Sequence, residues 1–209
     1  GWALFEQLRP ATNAPIIFIT AWRTGENRRR AESLRGDGFL ARVITSASGP
    51  ASIPYATFFG GSGYDEIYRV AVDPEGKLLL AGATLSSDLP VTFGALRETA
   101  PGGDGDGFIV RLDTDAPRES ALLYGTYLGG SGGDVIYGLD VDQSGVVWVT
   151  GYTYSADFPT TGDALVQFYP GGLNVFAASF DPQRFGDASL LYSTYLGQFN
   201  ISLGYSIAA

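Results

Sequence analysis

Residues 123–159 read LYGTYLGGSGGDVIYGLDVDQSGVVWVTGYTYSADFP, and the chain contains this stretch more than once. Residues 54–90, 69 positions earlier, read PYATFFGGSGYDEIYRVAVDPEGKLLLAGATLSSDLP. Seventeen of the 37 aligned positions are identical, with no gap. A third copy starts at Leu191 (LYSTYLGQFNISLGYSIAA) and runs to Ala209. Self-similarity at a fixed period marks a repeat architecture and outranks local signals.

One period carries four strand signals. The runs 136–141 and 146–153 are joined by Asp142-Gln143-Ser144-Gly145, whose counterpart is Asp73-Pro74-Glu75-Gly76. Both read as tight turns, with Gly taking the positive φ that closes a hairpin. The third strand is expected at 175–180 and the fourth at 190–196, with one helical turn at 162–168 in the longer connection. Tyr55, Tyr124 and Tyr192 each follow the third strand of their copy by twelve residues, so the turns are alike although their sequences differ. Leu78-Leu79-Leu80 and Val146-Val147-Trp148-Val149 are apolar without alternation. A strand of that kind is buried on both faces.

Four short antiparallel strands, with the inner ones covered on both sides, are the content of one propeller blade. The fold expected is therefore all-β, a β-propeller with repeats of about 69 residues and one four-stranded blade each. Residues 1–35 read as an irregular segment in which Leu4, Phe5 and Leu8 have helical spacing and 16–22 (IIFITAW) is one strand of a partial blade. Residues 36–59 complete that partial blade, 60–128 and 129–196 are whole blades, and 197–209 open a further, truncated one. Propellers close with about four to eight blades. The chain also starts at Gly1 and stops inside a repeat, so it reads as an excerpt of a longer propeller.

Composition narrows the chemistry. There is no Cys and no His, which excludes Cys/His zinc sites, catalytic thiols and any triad with a His base. Net charge is −9 and uneven: residues 1–44 hold seven Arg and four acids, while residues 45–209 hold six basic residues and eighteen acids. The acidic repeat region repels nucleic acid, and Arg28-Arg29-Arg30 reads as a solvated loop. No apolar run reaches the ~18 residues of a membrane span.

Read in order, Tyr124-Gly125-Thr126-Tyr127-Leu128-Gly129-Gly130-Ser131-Gly132, Val141-Asp142, Gly145, Val147-Trp148-Val149-Thr150-Gly151-Tyr152-Thr153 and Asp157-Phe158-Pro159-Thr160-Thr161 resemble the bacterial β-propeller repeat family often called SBBP. The resemblance covers most of residues 37–209. It implies a propeller within a large secreted or cell-surface bacterial protein, often beside immunoglobulin-like modules. Members mostly lack a defined activity, so no catalytic residue carries over. The third copy departs from the pattern: Gly197-Gln198-Phe199-Asn200 replaces Gly-Gly-Ser-Gly, and Ser202 replaces Asp65 and Asp134.

The Gly-Gly-Ser-Gly loops have no Lys and precede strands, so they read as turns capped by Asp65 and Asp134 rather than phosphate cradles. Asp104 and Asp106, in Gly103-Asp104-Gly105-Asp106-Gly107, are the candidate ligands for calcium, which wants six to eight oxygens. The competing reading is an ordinary Asp-Gly turn. Asp140 and Asp142 lie ~7 Å apart by strand rise, a spacing that overlaps a glycosidase carboxylate pair. Asp140 is private to its copy. Tyr68, Tyr137 and Tyr205 share one repeat position, which argues for packing. Tyr64, Trp148, Tyr152 and Tyr154 vary between copies and are candidates for stacking on a ligand. The function expected is a non-catalytic extracellular or cell-surface module for protein or glycan interaction, in adhesion or scaffolding, with Asp140, Tyr152 and Tyr154 as candidate ligand contacts. The alternative is a carbohydrate-active propeller enzyme or an accessory binding domain of one.

Overall fold

The computed structural model describes residues 16–21, 38–43, 54–198 and 204–209. The expected helical segment around Leu4–Leu8, the Arg28–Arg30 run, and Phe199, Asn200 and Ser202 of the third copy lie outside the described residues.

Every regular element among the described residues is a strand or a short 3-10 turn. Strands β1 (Ile16–Ala21), β2 (Gly38–Val43) and β3 (Tyr55–Phe59) form a three-stranded sheet in that order. Strands β4 (Asp65–Val72), β5 (Leu78–Thr84), β6 (Asp106–Leu112) and β7 (Leu122–Leu128) form a four-stranded sheet. Strands β8 (Asp134–Val141), β9 (Val147–Thr153), β10 (Asn174–Phe180) and β11 (Leu190–Gln198) form another. All pairings are antiparallel between consecutive strands. The four strands expected between 136 and 196 are β8 to β11, with ends moved by one or two residues.

The unbroken apolar runs have a direct physical cause. In β5, side chains alternate between faces, and both faces meet another sheet. Leu78 and Leu80 join Leu40, Phe59, Phe108 and Val110, between the three-stranded sheet and the sheet β4–β7. Leu79 and Ala81 join Ile109, Leu128, Ile136, Val149 and Phe176, between the two four-stranded sheets. Each fully buried Leu contributes about 2 kcal/mol. Strand β8 completes the stack by lying against β4, β5 and β6.

The hairpin turns β4–β5 and β8–β9 are closed by aspartates. Asp73 Oδ1 accepts from the amides of Glu75 (2.9 Å) and Lys77 (2.8 Å), and Asp142 Oδ1 accepts from those of Ser144 (2.8 Å) and Val146 (3.0 Å). Arg111 on β6 anchors the first turn through Asp73 (2.7 Å) and Glu75 (2.8 Å).

One expectation is corrected. Residues 162–168 form no helix: a single turn closed by Ala164 N–H to Thr161 O (3.1 Å) is followed by bends. The connection runs along the outer edge of β11 instead: Thr161 N–H donates to Ser193 O (3.0 Å) and Tyr195 N–H to Val166 O (3.1 Å). Its equivalent covers β7 through Thr92 N–H to Gly125 O (3.0 Å) and Tyr127 N–H to Arg97 O (3.3 Å). An exposed strand edge templates aggregation, and these connections cover it. Gln198 is the end of β11, and residues 204–209 carry no regular element. They rest on β8 and β9, where Ser206 approaches Gly138 and Gly204 approaches Thr150 and Gly151.

Candidate functional site

The glycine-rich loops come first, because they position everything at this end of the strands. In the first loop, Gly61 N–H donates to Asp65 Oδ2 (2.8 Å), Ser62 N–H to Asp88 Oδ1 (2.7 Å) and Gly63 N–H to Ser86 Oγ (2.8 Å). Ser86 Oγ in turn donates to Asp65 Oδ2 (2.9 Å), and Thr84 Oγ1 also donates to Asp65. The second loop repeats the set. Gly130 N–H goes to Asp134 Oδ2 (2.9 Å), Ser131 N–H to Asp157 Oδ1 (2.7 Å) and Gly132 N–H to Ser155 Oγ (2.8 Å). The lock is tied to the outer strand by tyrosines: Tyr127 OH donates to Ser86 O (2.9 Å) and Tyr195 OH to Ser155 O (2.8 Å). Glycine is required in the loop, since a Cβ on Gly61 would sit 2.4 Å from Asp88 Oδ1, and on Gly130 2.4 Å from Asp157 Oδ1. Three successive amides of each loop are committed to side chains and so do not cradle a phosphate.

The inner strands carry the second device. In β4, Ile67 pairs with Gly82 and Arg69 with Ala81, so Tyr68 is an extra residue. In β8, Ile136 pairs with Gly151 and Gly138 with Thr150, so Tyr137 is extra. These are β-bulges, which bend a strand and re-aim a side chain. The partner must be glycine: a Cβ on Gly82 would lie 1.8 Å from Glu66 O, and on Gly151 1.8 Å from Val135 O.

The bulges gather tyrosines from both inner strands. Ring centroids are 4.9 Å apart for Tyr68–Tyr137, 5.4 Å for Tyr137–Tyr205 and 5.7 Å for Tyr137–Tyr152. Tyr154 adds an edge-on contact to Tyr152 at 5.9 Å. Tyr64 and Tyr68 both donate their hydroxyls to the Glu66 carboxylate. Burial raises the hydroxyl pKa of Tyr68 and Tyr137, and the Glu66 bond raises that of Tyr68 further, so both stay neutral donors at physiological pH. Tyr154 and Tyr205 are more than half exposed, at 52% and 58%. The result is a half-open aromatic surface at the inner edge of the sheet stack.

Of the candidate ligand contacts, Tyr152 and Tyr154 belong to this surface. Trp148 stands across from Asp140 on β9 and is half-buried. Asp140 Oδ1 accepts from Val141 N–H and Oδ2 from Ala209 N–H, both at 2.9 Å. Asp142 Oδ1 is engaged by the turn amides of Ser144 and Val146. Asp104 is exposed in the 101–105 turn, whereas Asp106 is buried at the start of β6. Among the described residues no group of three or more His, Cys, Asp or Glu is placed to hold a metal ion.

Sequence reading missed that Asp106 faces Asp134 across the sheets. A Cβ on Gly129 would meet Asp106 Oδ1 and Asp134 Oδ2, each at 2.6 Å. The Oδ1 atoms of both aspartates are buried without a hydrogen-bond partner. Burial pushes both carboxyls up, and the charge of Asp134 takes Asp106 to about 7. The signal was present in the copies: Asp106 aligns with Asn174, and Asp134 with Ser202.

No curated protein matches the chain. The stretch that holds the second loop lock, the Tyr137 bulge and its Gly151 partner, residues 123–159, matches the family model SBBP, beta-propeller repeat.

Proposed function

We propose that the four-stranded sheets are blades of a β-propeller with a repeat of about 69 residues, and that the chain serves as a non-catalytic extracellular or cell-surface module for protein or glycan interaction. The tyrosine surface formed by Tyr68, Tyr137, Tyr152, Tyr154 and Tyr205 carries this reading. Aromatic rings with a free face and a polar hydroxyl supply large contact area at low entropic cost, which is why tyrosine is enriched at binding surfaces. The same surface lies in an acidic region, so partners with basic or neutral faces are favoured.

The test is binding by the full chain to a glycan array and to a surface-protein library, beside the double variant Tyr154→Ala/Tyr205→Ala. Both side chains are largely exposed, so the variant should fold with unchanged Tm. Loss of the captured ligand by about tenfold or more, on the order of 1.4 kcal/mol, supports the reading. Equal binding by the variant, or turnover of a captured glycan, refutes it.

A further inference from the structure

Asp106 and Asp134 open strands β6 and β8 and meet where the two four-stranded sheets adjoin. Asp106 Oδ1 and Asp134 Oδ2 each lie 2.6 Å from the point that a Cβ on Gly129 would occupy. The two oxygens are therefore within ~5 Å of each other, a range in which one carboxylate opposes the ionisation of the next. Their surroundings are unequal. Asp134 accepts from Gly130 N–H (2.9 Å) and Ser155 Oγ (2.7 Å) and is hydrogen-bonded by Thr153, so its charge is supported. Asp106 accepts from the Gly102 amide, but its Oδ1 is buried without a hydrogen-bond partner. Asp106 is thus the member of the pair that keeps the proton. The other titratable groups give an Asp106 anion no relief. Asp104 is on the same turn, Asp65 and Asp88 act with Asp106 on Tyr127, and Asp157 acts on Asp134. Glu66 lines one cavity with Asp104 and Asp134. Tyr127, Tyr152 and Tyr195 face the pair as neutral hydroxyls, and the Arg97 cation acts on Asp157.

An ionised Asp106 has one way out, through the turn that precedes it. In that turn Gly102, Gly103 and Asp104 are exposed. The turn is docked on the second glycine loop: Asp134 N–H donates to Gly105 O (2.9 Å), and a Cβ on Gly103 would stand 2.5 and 2.4 Å from the carbonyl oxygens of Ser131 and Gly132. From the facing oxygens, their unequal partners and this docking, we infer that Asp106 and Asp134 form a proton latch. One shared proton holds the 101–105 turn down on the Gly129–Gly132 loop, and its loss releases the turn and carries the Asp106 carboxylate into water. The opening stops at Gly107, because the rest of β6 is buried and laddered on both sides. The third copy lacks the device. Asn174 and Ser202 stand at the two positions, and Asn174 Nδ2 donates to Gly171 O (3.1 Å) and Gly172 O (3.0 Å), bonds that carry no titrating group. The latch is therefore particular to one junction between sheets, and it stands apart from the interaction reading.

The experiment follows the full chain by NMR from about pH 5 to about pH 9, reading the carboxyl carbon shifts of Asp106 and Asp134 and amide exchange corrected for its intrinsic pH dependence. Asp106 is expected to titrate at about 7. Protection of the Asp134 amide, which donates to Gly105 O, should fall about tenfold or more with the same midpoint, while the amides of the buried strand residues Ile109 and Val149 keep theirs. Asp106→Asn should remove the step, and Asp104→Asn, on the exposed part of the same turn, should leave it in place. The latch is overturned if Asp106 titrates in the ordinary carboxylate range, or if it titrates at about 7 while the Asp134 amide stays equally protected. It is also overturned by a step that survives in Asp106→Asn, or by Ile109 and Val149 losing protection together with Asp134, which marks global unfolding. The titration of the parent chain decides the matter alone if the Asn variant does not fold.

Discussion

Replacing Asp106 with Asn should make the protein more stable at pH 8, with only about a third of that gain at pH 5. The folded chain holds this carboxyl up to about 7, through burial first and the charge of Asp134 second. In the unfolded chain it titrates near ~3.9. Between those values the folded protein binds a proton that the unfolded chain has released, so stability falls as pH rises through the window and levels off above about 7. Three pH units correspond to about 4 kcal/mol, and relaxation around the site brings the expected loss to roughly 2–4 kcal/mol. Asparagine cannot ionise, keeps a carbonyl as acceptor and brings an NH2 that can donate to the unpartnered Asp134 Oδ1. The third copy has made the same exchange. Asn174 occupies the equivalent place, with Nδ2 donating to Gly171 O (3.1 Å) and Gly172 O (3.0 Å), and the partner position has become Ser202. Urea unfolding at pH 5 and pH 8, with chelator in every buffer and tryptophan fluorescence as the signal, measures the difference. Equal effects at both pH values, or an Asn variant less stable than the parent at pH 8, would refute the reasoning.

Two further outcomes follow from the locks and the bulges. Asp65→Ala strands the donors of Gly61, Thr84 and Ser86, all three in buried residues, and should cost about 3 kcal/mol in urea unfolding; a cost under about 1 kcal/mol would mean that the loop holds itself. Gly151→Ala places a methyl 1.8 Å from Val135 O and should lower stability by about 2–3 kcal/mol while collapsing the near-UV signal of the tyrosine surface, and an unchanged spectrum would separate the bulge from the placement of Tyr137.

The sequence disclosed the strands and hid the junctions between sheets. Leu78-Leu79-Leu80 announces burial on both faces because side-chain direction in a strand alternates strictly. That inference needs no knowledge of which sheet covers which face. The turn aspartates were equally plain, since Asp-x-x-Gly closes a hairpin locally. The pairing of Asp106 with Asp134 is different in kind. It joins the start of β6 to the start of β8 across two sheets, and no local rule gives their distance. Only the paired change to Asn174 and Ser202 points to it, and one altered copy is a thin signal. The connection at 162–168 hides its structure for a related reason: beyond the one turn at Thr161–Ala164, the amides of Leu165 and Val166 are satisfied by Tyr192 and Thr194 of β11, a partner remote in sequence, and no helix is needed to pair them.

Tyr68, Tyr137 and Tyr205 share a repeat position, and recurrence points to packing, because a ligand site rarely draws on every copy. At the inner edge successive strands lie close enough for Tyr137 to pack against both Tyr68 and Tyr205. There, one residue per copy, delivered by one bulge per copy, builds a continuous surface. Under the proposed function, repetition at this edge enlarges the binding surface. The copy-specific residues Tyr64, Tyr152 and Tyr154 then differentiate that surface: two of them extend the rings and one closes on Glu66. On this view Tyr137, although its position recurs, should matter as much to binding as Tyr154, because among the described residues it contacts three other rings of the surface.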